Sequence, residues 1–362
     1  MADEDDRIIC YCYQVSKNKI VEIIKSNNLK AISDIRKLTG AGSGCGSCRF
    51  EVEEILEEVT AKINRETEML KRKSIPKNVY KPLNPLTTKI ISNSVIANGD
   101  GLETCHIVLE NKDHIYPYVE GQSLGVLPPG QDDKGKPHHL RLYSIASSVS
   151  GDNLEKNSVS ICVKRLKYLD PETKIQKNGV CSNYLCDLKS GDSVQITGPV
   201  GQSFLLPTDP TNNYIFIATG TGIAPFRAFW RRLFMENSQP KFTGNIQLYF
   251  GCPNRKDILY YEEIEKLRVT HKNFQVKYAI SREDKNKDGS KKYVHHVLYE
   301  NMNEVFSYLH SPKTHIYLCG LKSMEEGVIE VFKKATETRG QNWDALFEKM
   351  KKEEKRWEVE VY

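Results

Sequence analysis

Tyr214-Ile215-Phe216-Ile217-Ala218-Thr219-Gly220-Thr221-Gly222-Ile223-Ala224-Pro225 runs from an unbroken apolar stretch, through a glycine turn, into sequence that opens a helix. Continuous apolarity over Tyr214–Thr219 predicts a strand buried on both faces, the environment of a parallel sheet rather than a half-solvated one. Glycines at 220 and 222 let the backbone come close to a phosphate, and the N–H groups of the following helix favour an anion there. The spacing departs from the usual G-x-G-x-x-G, so the stretch takes its meaning from its neighbours.

Downstream, Asn245–Gly251, Gln275–Ile280 and His315–Cys319 repeat the apolar run, with helical sequence between them. That alternation predicts a doubly wound α/β domain with a parallel sheet over residues 209–362. Upstream the pattern changes. Thr87–Ser92, His106–Leu109, Arg141–Ile145, Val159–Val163 and Val194–Gly198 are short strand-like runs punctuated by Gly, Pro and Asn, so residues 83–208 read as an antiparallel β-barrel. Residues 1–70 read as small and all-α. Ser16 is placed to cap a helix over Lys17–Ser26, and Ile32–Leu38 is a second. A third begins near Gly46 and carries Val52, Ile55, Leu56, Val59 and Ile63 at helical spacing. Residues 71–82, with Lys71-Arg72-Lys73, Pro76 and Pro82, read as a linker. A chain of 362 residues is too long for one ordinary core, which agrees with a multidomain reading.

Composition narrows the function classes. The apolar fraction of 39% and charged fraction of 27% are those of a soluble globular protein. No stretch approaches the roughly 20 apolar residues of a membrane helix, so membrane insertion is not expected. The net charge of +5 is spread along the chain, and no basic stripe interleaves with aromatics, so neither is a nucleic-acid partner. The acidic start, Asp3-Glu4-Asp5-Asp6, resembles neither a secretory signal nor a transit peptide. Cysteines without a disulfide pattern suit a reducing compartment. A cytoplasmic location is expected, and a processed organellar protein would carry the same signature.

Four of the ten cysteines form two close pairs, Cys10-x-Cys12 and Cys45-x-x-Cys48, separated by 32 residues. Four thiolates suffice for one tetrahedral zinc or one iron–sulfur cluster, and spacing alone does not choose between them. Cys45 and Cys48 stand where a helix begins, and Gly40–Gly46 lets backbone N–H groups approach sulfur; both features favour an anionic cluster.

Two further segments suit a flavin. In Arg141-Leu142-Tyr143-Ser144, an aromatic can stack on an isoalloxazine, a hydroxyl can bond its polar edge, and a guanidinium can pair with pyrophosphate. Gly179-Val180-Cys181-Ser182 offers a glycine turn into a helix whose N–H groups can receive the same pyrophosphate. Each alone is also an ordinary strand or turn.

Taken together and in order, these segments are specific. From Pro82 to the C-terminus the chain resembles plant-type ferredoxin–NADP reductase. The likeness rests on RLYSIASS (141–148), CVKRL (162–166), GVCSNYLCDL (179–188), TGPVG (197–201), TGTGIAPFR (219–227), YLCGLKSME (317–325) and WEVEVY (357–362). It implies an FAD-dependent oxidoreductase exchanging hydride with NADP(H). FAD would be held by Arg141, Leu142, Tyr143, Ser144, Cys162, Val163, Lys164, Tyr168, Gly179, Val180, Cys181, Ser182, Thr221 and Tyr362, with Tyr143 and Tyr362 on opposite flavin faces. NADP(H) would meet Lys164, Thr221, Pro253, Ser281, Arg282, Lys291, Tyr293, Gly320, Leu321 and Glu360. Ser281, Arg282, Lys291 and Tyr293 form the expected 2′-phosphate pocket, where cations and hydroxyls select NADP over NAD. Ser144, Cys319, Glu360 and Tyr362 resemble the family's catalytic set. Cys252 before Pro253, and His295-His296 beside Tyr293, depart from the plant pattern.

Cys10-Tyr11-Cys12-Tyr13-Gln14-Val15 with TGAGSGCGSCR (39–49) resembles the bacterioferritin-associated ferredoxin family, a small helix-turn-helix module that holds a 2Fe–2S cluster. By that likeness Cys10, Cys12, Cys45 and Cys48 are cluster ligands. The resemblances together imply ferredoxin or flavodoxin as the partner of the flavin, or another redox enzyme served through the cluster. The remaining alternative is a metal-binding docking module without a catalytic role.

Overall fold

The computed structural model describes residues 6–72, 75–99, 101–170, 173–236 and 239–362. The acidic start before Asp6, and Lys73 and Ser74 of the expected linker, lie outside them. The chain divides into two compact units, essentially residues up to 74 and residues from 75 onward.

In the N-terminal unit, strands β1 (Ile8–Cys10) and β2 (Val15–Ser16) form a short antiparallel pair. Helices α1 (Lys17–Asn27), α2 (Ile32–Thr39) and α3 (Arg49–Arg72) follow. The helical expectation is met with one addition, because the first cysteine pair sits on a β ribbon. Ser16 caps α1 by accepting a hydrogen bond from the Lys19 N–H at 3.3 Å. Ile20 and Ile24 of α1, Ile35 of α2 and Val52, Ile55, Leu56 and Val59 of α3 close a small apolar core. Cys10 and Cys48 are part of that core, whereas Cys12 and Cys45 are exposed.

In the second unit, residues 78–80 already join the sheet, through Asn78 N–H to Pro199 O and Tyr80 N–H to Gly198 O. Strands β3 (Leu86–Gly99), β4 (Leu102–Glu110), β5 (Ser123–Leu127), β6 (Arg141–Ser144) and β7 (Ser158–Lys164) come first. A hairpin of β8 (Lys167–Leu169) and β9 (Gln176–Asn178), helix α4 (Val180–Asp187) and β10 (Ser193–Val200) complete this half. The six long strands pair antiparallel in the order β6-β5-β10-β3-β4-β7. Ile145 then bridges to Ile161, and Ala146 N–H bonds Ser160 O at 2.7 Å, so the two edges meet and the sheet closes as a barrel. β3 runs far beyond the expected Thr87–Ser92, because two register irregularities against β4 break the alternation that marks a strand in sequence.

The last part alternates strand and helix: β11 (Asn213–Thr219), α5 (Ala224–Trp230), β12 (Ile246–Cys252), α6 (Tyr261–Thr270), β13 (Phe274–Ile280), α7 (Val294–Glu300), α8 (Met302–Leu309), β14 (Thr314–Gly320), α9 (Lys322–Thr338), α10 (Trp343–Glu348) and β15 (Trp357–Val361). All five strands are parallel, in the order β13-β12-β11-β14-β15. Every residue of β12 and of β14 is buried, as continuous apolar runs require. Two apolar clusters cover the sheet, one around Phe216, Phe226 and Phe229, the other around Ile215, Leu318, Phe332 and Trp357.

A buried ion network ties barrel to sheet. Arg227 of α5 donates to Ala146 O at 3.0 Å, to Asp152 at 2.6 Å and to Glu263 at 3.1 Å. His106 of β4 bonds Asp152 on one side and the Tyr260 hydroxyl, at 3.0 Å, on the other. Burial alone would raise the Asp152 pKa; His106 and Arg227 outweigh it and hold the carboxyl well below its usual range. Among the described residues no helix is long and apolar enough to cross a membrane.

Candidate redox sites

The first site lies where the closed end of the barrel meets the C-terminal edge of the parallel sheet. β6 brings Arg141, Leu142, Tyr143 and Ser144 along one strand. Tyr143 is half-buried, and its hydroxyl is within hydrogen-bonding reach of the Cys181 thiol on α4. That contact places β6 beside the helix start formed by Gly179–Ser182. Among the described residues no side chain caps the N-terminus of α4, so its first N–H groups are available to an anion. Ser182 Oγ turns back to the Leu166 N–H, fixing the β8–β9 hairpin and with it Tyr168. Val163 is fully buried and Cys162 is 4% exposed, so at these positions only the strand backbone and its edge remain for a ligand. Lys164, the next residue, is exposed.

Ser144, Cys319 and Glu360 come together from three strands. Cys319 and Glu360 are register partners on β14 and β15. The Ser144 hydroxyl is close enough to both to lower their pKa values against the burial that raises them. Burial pushes the Cys319 thiol far above its ordinary value, so it stays protonated and is a poor nucleophile. Burial likewise pushes the Glu360 carboxyl up to about 7. Tyr362 is anchored by its N–H on Gly320 O at 3.0 Å and by its hydroxyl on Thr221 Oγ1 at 2.8 Å, while its ring stays exposed.

Thr221, Pro253, Ser281 and Leu321 follow β11, β12, β13 and β14, which sets them in a row at the carboxyl ends of parallel strands. β11 is followed by β12 on one side and neighbours β14 on the other, so a crevice opens at its end, as doubly wound sheets require. The turns after β11 and β14 nearly touch. A Cβ on Gly222 would stand 2.1 Å from Cys319 O, and one on Gly320 would stand 2.2 Å from Thr219 Oγ1. Arg282 N–H bonds Pro253 O, which joins the turns after β12 and β13. Tyr293 caps α7 with an exposed ring, and Lys291 lies two residues before it. The departures from the plant pattern have structural explanations. Cys252 donates its thiol hydrogen to Asn254 O at 3.3 Å. His296 Nδ1 accepts the Tyr293 N–H at 2.9 Å, and His295 packs against Gly327.

The second site belongs to the N-terminal unit. Cys12 Sγ and Cys45 Sγ stand 3.4 Å apart, and Cys10 and Cys48 lie buried in the same apolar core. Among the described residues no three Cys, His, Asp or Glu side chains converge on one point. Four thiols supplied by two loops suit a two-iron cluster, which takes two thiolates on each iron. Ser47 Oγ lies 3.3 Å from Cys45 Sγ. Hydrogen bonds from the Ser47 side chain and N–H lower the Cys45 pKa to about 7. A Cβ on Gly44 would sit 3.0 Å from Cys12 Cβ, so glycine is what lets the two loops close on one another.

Comparison with known proteins agrees with this geometry region by region. Residues 8–58 match the BFD-like 2Fe-2S binding domain, residues 98–204 the oxidoreductase FAD-binding domain and residues 216–330 the oxidoreductase NAD-binding domain. The cyanelle ferredoxin–NADP reductase of Cyanophora paradoxa is 46% identical over 295 residues, 81% of this chain and 80% of its own. Root isozyme 2 of the chloroplastic ferredoxin–NADP reductase of Arabidopsis thaliana is 47% identical over 299 residues, covering 80% and 78%. The chain belongs to the ferredoxin–NADP reductase family. The solved ferredoxin–NADP+ reductase of Plasmodium falciparum superposes with a TM-score of 0.63 at 32% identity, covering 79% of this chain and all of that one.

As a member of that family the chain is an FAD- and NADP-binding oxidoreductase that carries a 2Fe–2S domain. The structure fits all three groups. Leu142, Tyr168, Val180 and Tyr362 are apolar side chains exposed by 56%, 43%, 49% and 63%, beside an uncapped helix start, which suits a large planar aromatic with a pyrophosphate tail. Exposed Tyr293 and Leu321 at the sheet edge suit a dinucleotide. The four thiols suit the cluster. Sequence reasoning missed the reductase's Tyr260, whose left-handed backbone (φ 57°) turns its hydroxyl toward His106 and within reach of the Cys162 thiol. No motif marks it; the contact exists only once α6 is docked on the barrel.

Proposed function

We propose that Ser144, Cys319, Glu360 and Tyr362 form the catalytic centre of this reductase, that its partner is ferredoxin or flavodoxin, and that its own cluster lies in the electron path. The observation that carries the catalytic part is the meeting of Ser144, Cys319 and Glu360 from three strands close to Tyr362.

Bound FAD supplies hydride exchange with NADP(H) and single-electron exchange with an iron–sulfur carrier. The protein's own work is to bind, orient and move a proton. Tyr143 and Ser144 hold the ring and its polar edge, while Arg141 and the start of α4 hold the pyrophosphate. Tyr362 would cover the flavin and give way to nicotinamide, since its side chain is exposed and the residue is held by hydrogen bonds, from its N–H to Gly320 O, with Thr221 Oγ1 and from its hydroxyl to Thr219 O. Cys319, neutral and buried, is a wall that sets the nicotinamide against the ring. Glu360 carries a proton near neutral pH and passes it through Ser144. Ser281, Arg282, Lys291 and Tyr293 take the 2′-phosphate and adenine, with Lys164, Thr221, Pro253, Gly320 and Leu321 along the rest of the path.

Two features support the cluster in the path: it shares a chain with a hydride-accepting site, and half of its ligand set is exposed. All ten cysteines are free, which supports a reducing compartment and, most simply, the cytoplasm. The deciding experiment is anaerobic stopped-flow absorbance with NADPH and no added ferredoxin. Cluster bleaching that follows flavin reduction within turnover time supports the path. A silent cluster beside a reduced flavin refutes it and leaves a reductase with an accessory module.

A further inference from the structure

The buried guanidinium of Arg227 joins three parts of the reductase at one point. Nη1 donates to Ala146 O at 3.0 Å and to Asp152 Oδ1 at 2.6 Å, both from the barrel. Nε and Nη2 both donate to Glu263 Oε2 of α6, at 3.2 and 3.1 Å. One face lies 4.7 Å from the ring centre of Tyr260, whose hydroxyl bonds His106 at 3.0 Å. The planar group is thus used along its edges and on a face. Lysine, with one tetrahedral nitrogen, does not reproduce that pattern.

The two ends of this arrangement bear on the chemistry. Ala146 stands two residues beyond Ser144, just past the flavin strand β6, and its own N–H is held by Ser160 O at 2.7 Å. Ser160 fixes its N–H and Arg227 its carbonyl, and with them the end of the strand that carries Ser144. At the other end Arg227 lies on α5, five residues after Gly222. Gly222 packs so closely on β14 that a Cβ there would stand 2.1 Å from Cys319 O. One short stretch of chain therefore spans from the nucleotide turn to the flavin strand. Hydride exchange needs the reacting atoms about 3–3.5 Å apart and loses rate steeply when they are misplaced. Another tie between barrel and sheet, Arg232 to Glu120 at 2.7 Å, continues to the Val149 N–H, five residues beyond Ser144. That tie fastens the domains without holding the end of β6.

Resting on the reading of Ser144, Cys319 and Glu360 as the catalytic centre, we propose that Arg227 is a positioning residue for hydride exchange: through Ala146 O and α5 it sets the flavin strand against the nucleotide turn. In the step it serves, NADPH gives up the C4 hydride, with both electrons, to the flavin and leaves as NADP+. Arg227 exchanges neither proton nor electron; it sets the distance.

The test compares Arg227→Lys with Arg232→Lys in FAD-loaded, full-length protein. Both keep the charge and loosen a tie between barrel and sheet, so both are expected to lower Tm. Anaerobic stopped flow at rising NADPH concentration then separates affinity from rate. Arg227→Lys is expected to reduce its flavin about tenfold more slowly at saturation, with NADPH affinity within about twofold. It is also expected to weaken the long-wavelength charge-transfer absorbance that reports nicotinamide stacked on flavin. Arg232→Lys is expected to keep the wild-type limiting rate and band. A wild-type rate and band in Arg227→Lys, or an equal loss in both variants, overturns the proposal and leaves Arg227 a residue of stability alone. If Arg227→Lys yields no folded protein, Asp152→Asn, which keeps the shape and removes the charge that orients Nη1, is read against Arg232→Lys by the same two criteria. Ser144→Ala, measured alongside, judges the catalytic reading separately. A wild-type rate there defeats that reading, while the Arg227→Lys outcome still decides whether the flavin strand is set from α5.

Discussion

In the N-terminal unit half of the cysteine ligands belong to its one small core. In the reductase unit, by contrast, among the described residues only Cys162, Val163, Cys181 and Cys319 of the site belong to much larger cores, and the rings of Tyr168, Tyr293 and Tyr362 stay exposed. Among the described residues, Cys10 and Cys48 are two of the twelve buried ones that hold α1, α2 and α3 together. The reductase instead fills its sheet with Phe216, Phe226, Leu318 and Trp357, and leaves Leu142, Tyr168, Val180 and Tyr362 exposed at the site. A domain of this small size buries too little apolar surface to be secure alone, and metal binding then becomes folding free energy. A large doubly wound sheet gains from its ligand only by mass action. The two units should therefore respond to cofactor loss in opposite ways.

The largest effect expected follows directly. Anaerobic iron chelation should abolish cluster absorbance and much of the helical signal of the N-terminal unit. NADPH oxidation with ferricyanide should stay within about twofold, as independent regions allow. Circular dichroism and diaphorase assays on the same sample check both halves. A cluster-free N-terminal unit that keeps its helices would break the comparison.

Next in size is the proton-holding pair. Glu360→Gln and Ser144→Ala should each slow the reaction roughly a hundredfold, the lower range for a positioned proton donor, with little change in dinucleotide affinity. Because burial raises Glu360 to about 7, the acid form dominates below that pH. The proton-consuming direction should slow as pH rises through about 7, and Glu360→Gln should lose that inflection. The sign for stability is the same: a raised carboxyl contributes stability at low pH that is lost as pH climbs from the ordinary carboxylate range through about 7. A flat wild-type profile would remove Glu360 from proton handling.

How much of this was readable in advance follows from where each signal is stored. The parallel strands were legible because β11, β12 and β14 are buried on both faces and their apolar runs say so. The glycine turn at 220–222 and the four cysteines were legible because backbone approach and thiolate chemistry admit few substitutes. Barrel closure was not, since Ile145 and Ile161 announce nothing about each other. The Arg227, Asp152, His106 and Glu263 network was also hidden, because each residue alone reads as a surface charge. The inequality of the thiols was hidden too: C-x-C and C-x-x-C are symmetrical as text, and only the packing of Ile20, Ile24 and Val52 makes one pair interior.

Gly222→Ala tests whether the reductase site tolerates change as a site resting on a much larger core should. Its Cβ would stand 2.1 Å from backbone, which cannot swing away as a side chain can. Overpacking of this kind costs about 1–3 kcal/mol, and for a unit of this size each kcal/mol lowers Tm by roughly 2–4 °C. Thermal unfolding should fall by that amount, and NADP+ should bind more weakly, because the turns after β11 and β14 would part. An unchanged Tm would mean that the turns separate without cost.

The smallest effect concerns the terminal tyrosine. Tyr362→Phe keeps the ring and removes the hydroxyl that bonds Thr221 Oγ1 at 2.8 Å. That bond must break before nicotinamide can take the ring's place, and a net hydrogen bond contributes about 0.5–1.5 kcal/mol. NADP+ should consequently bind about two- to tenfold more tightly to the variant, as titration of flavin absorbance would measure. Tighter binding would mean that Tyr362 competes with the dinucleotide for one surface, as an exposed aromatic on a large scaffold can. Weaker binding would mean that the hydroxyl contacts the nucleotide directly, and the comparison would then have to count Tyr362 as part of the pocket rather than its cover.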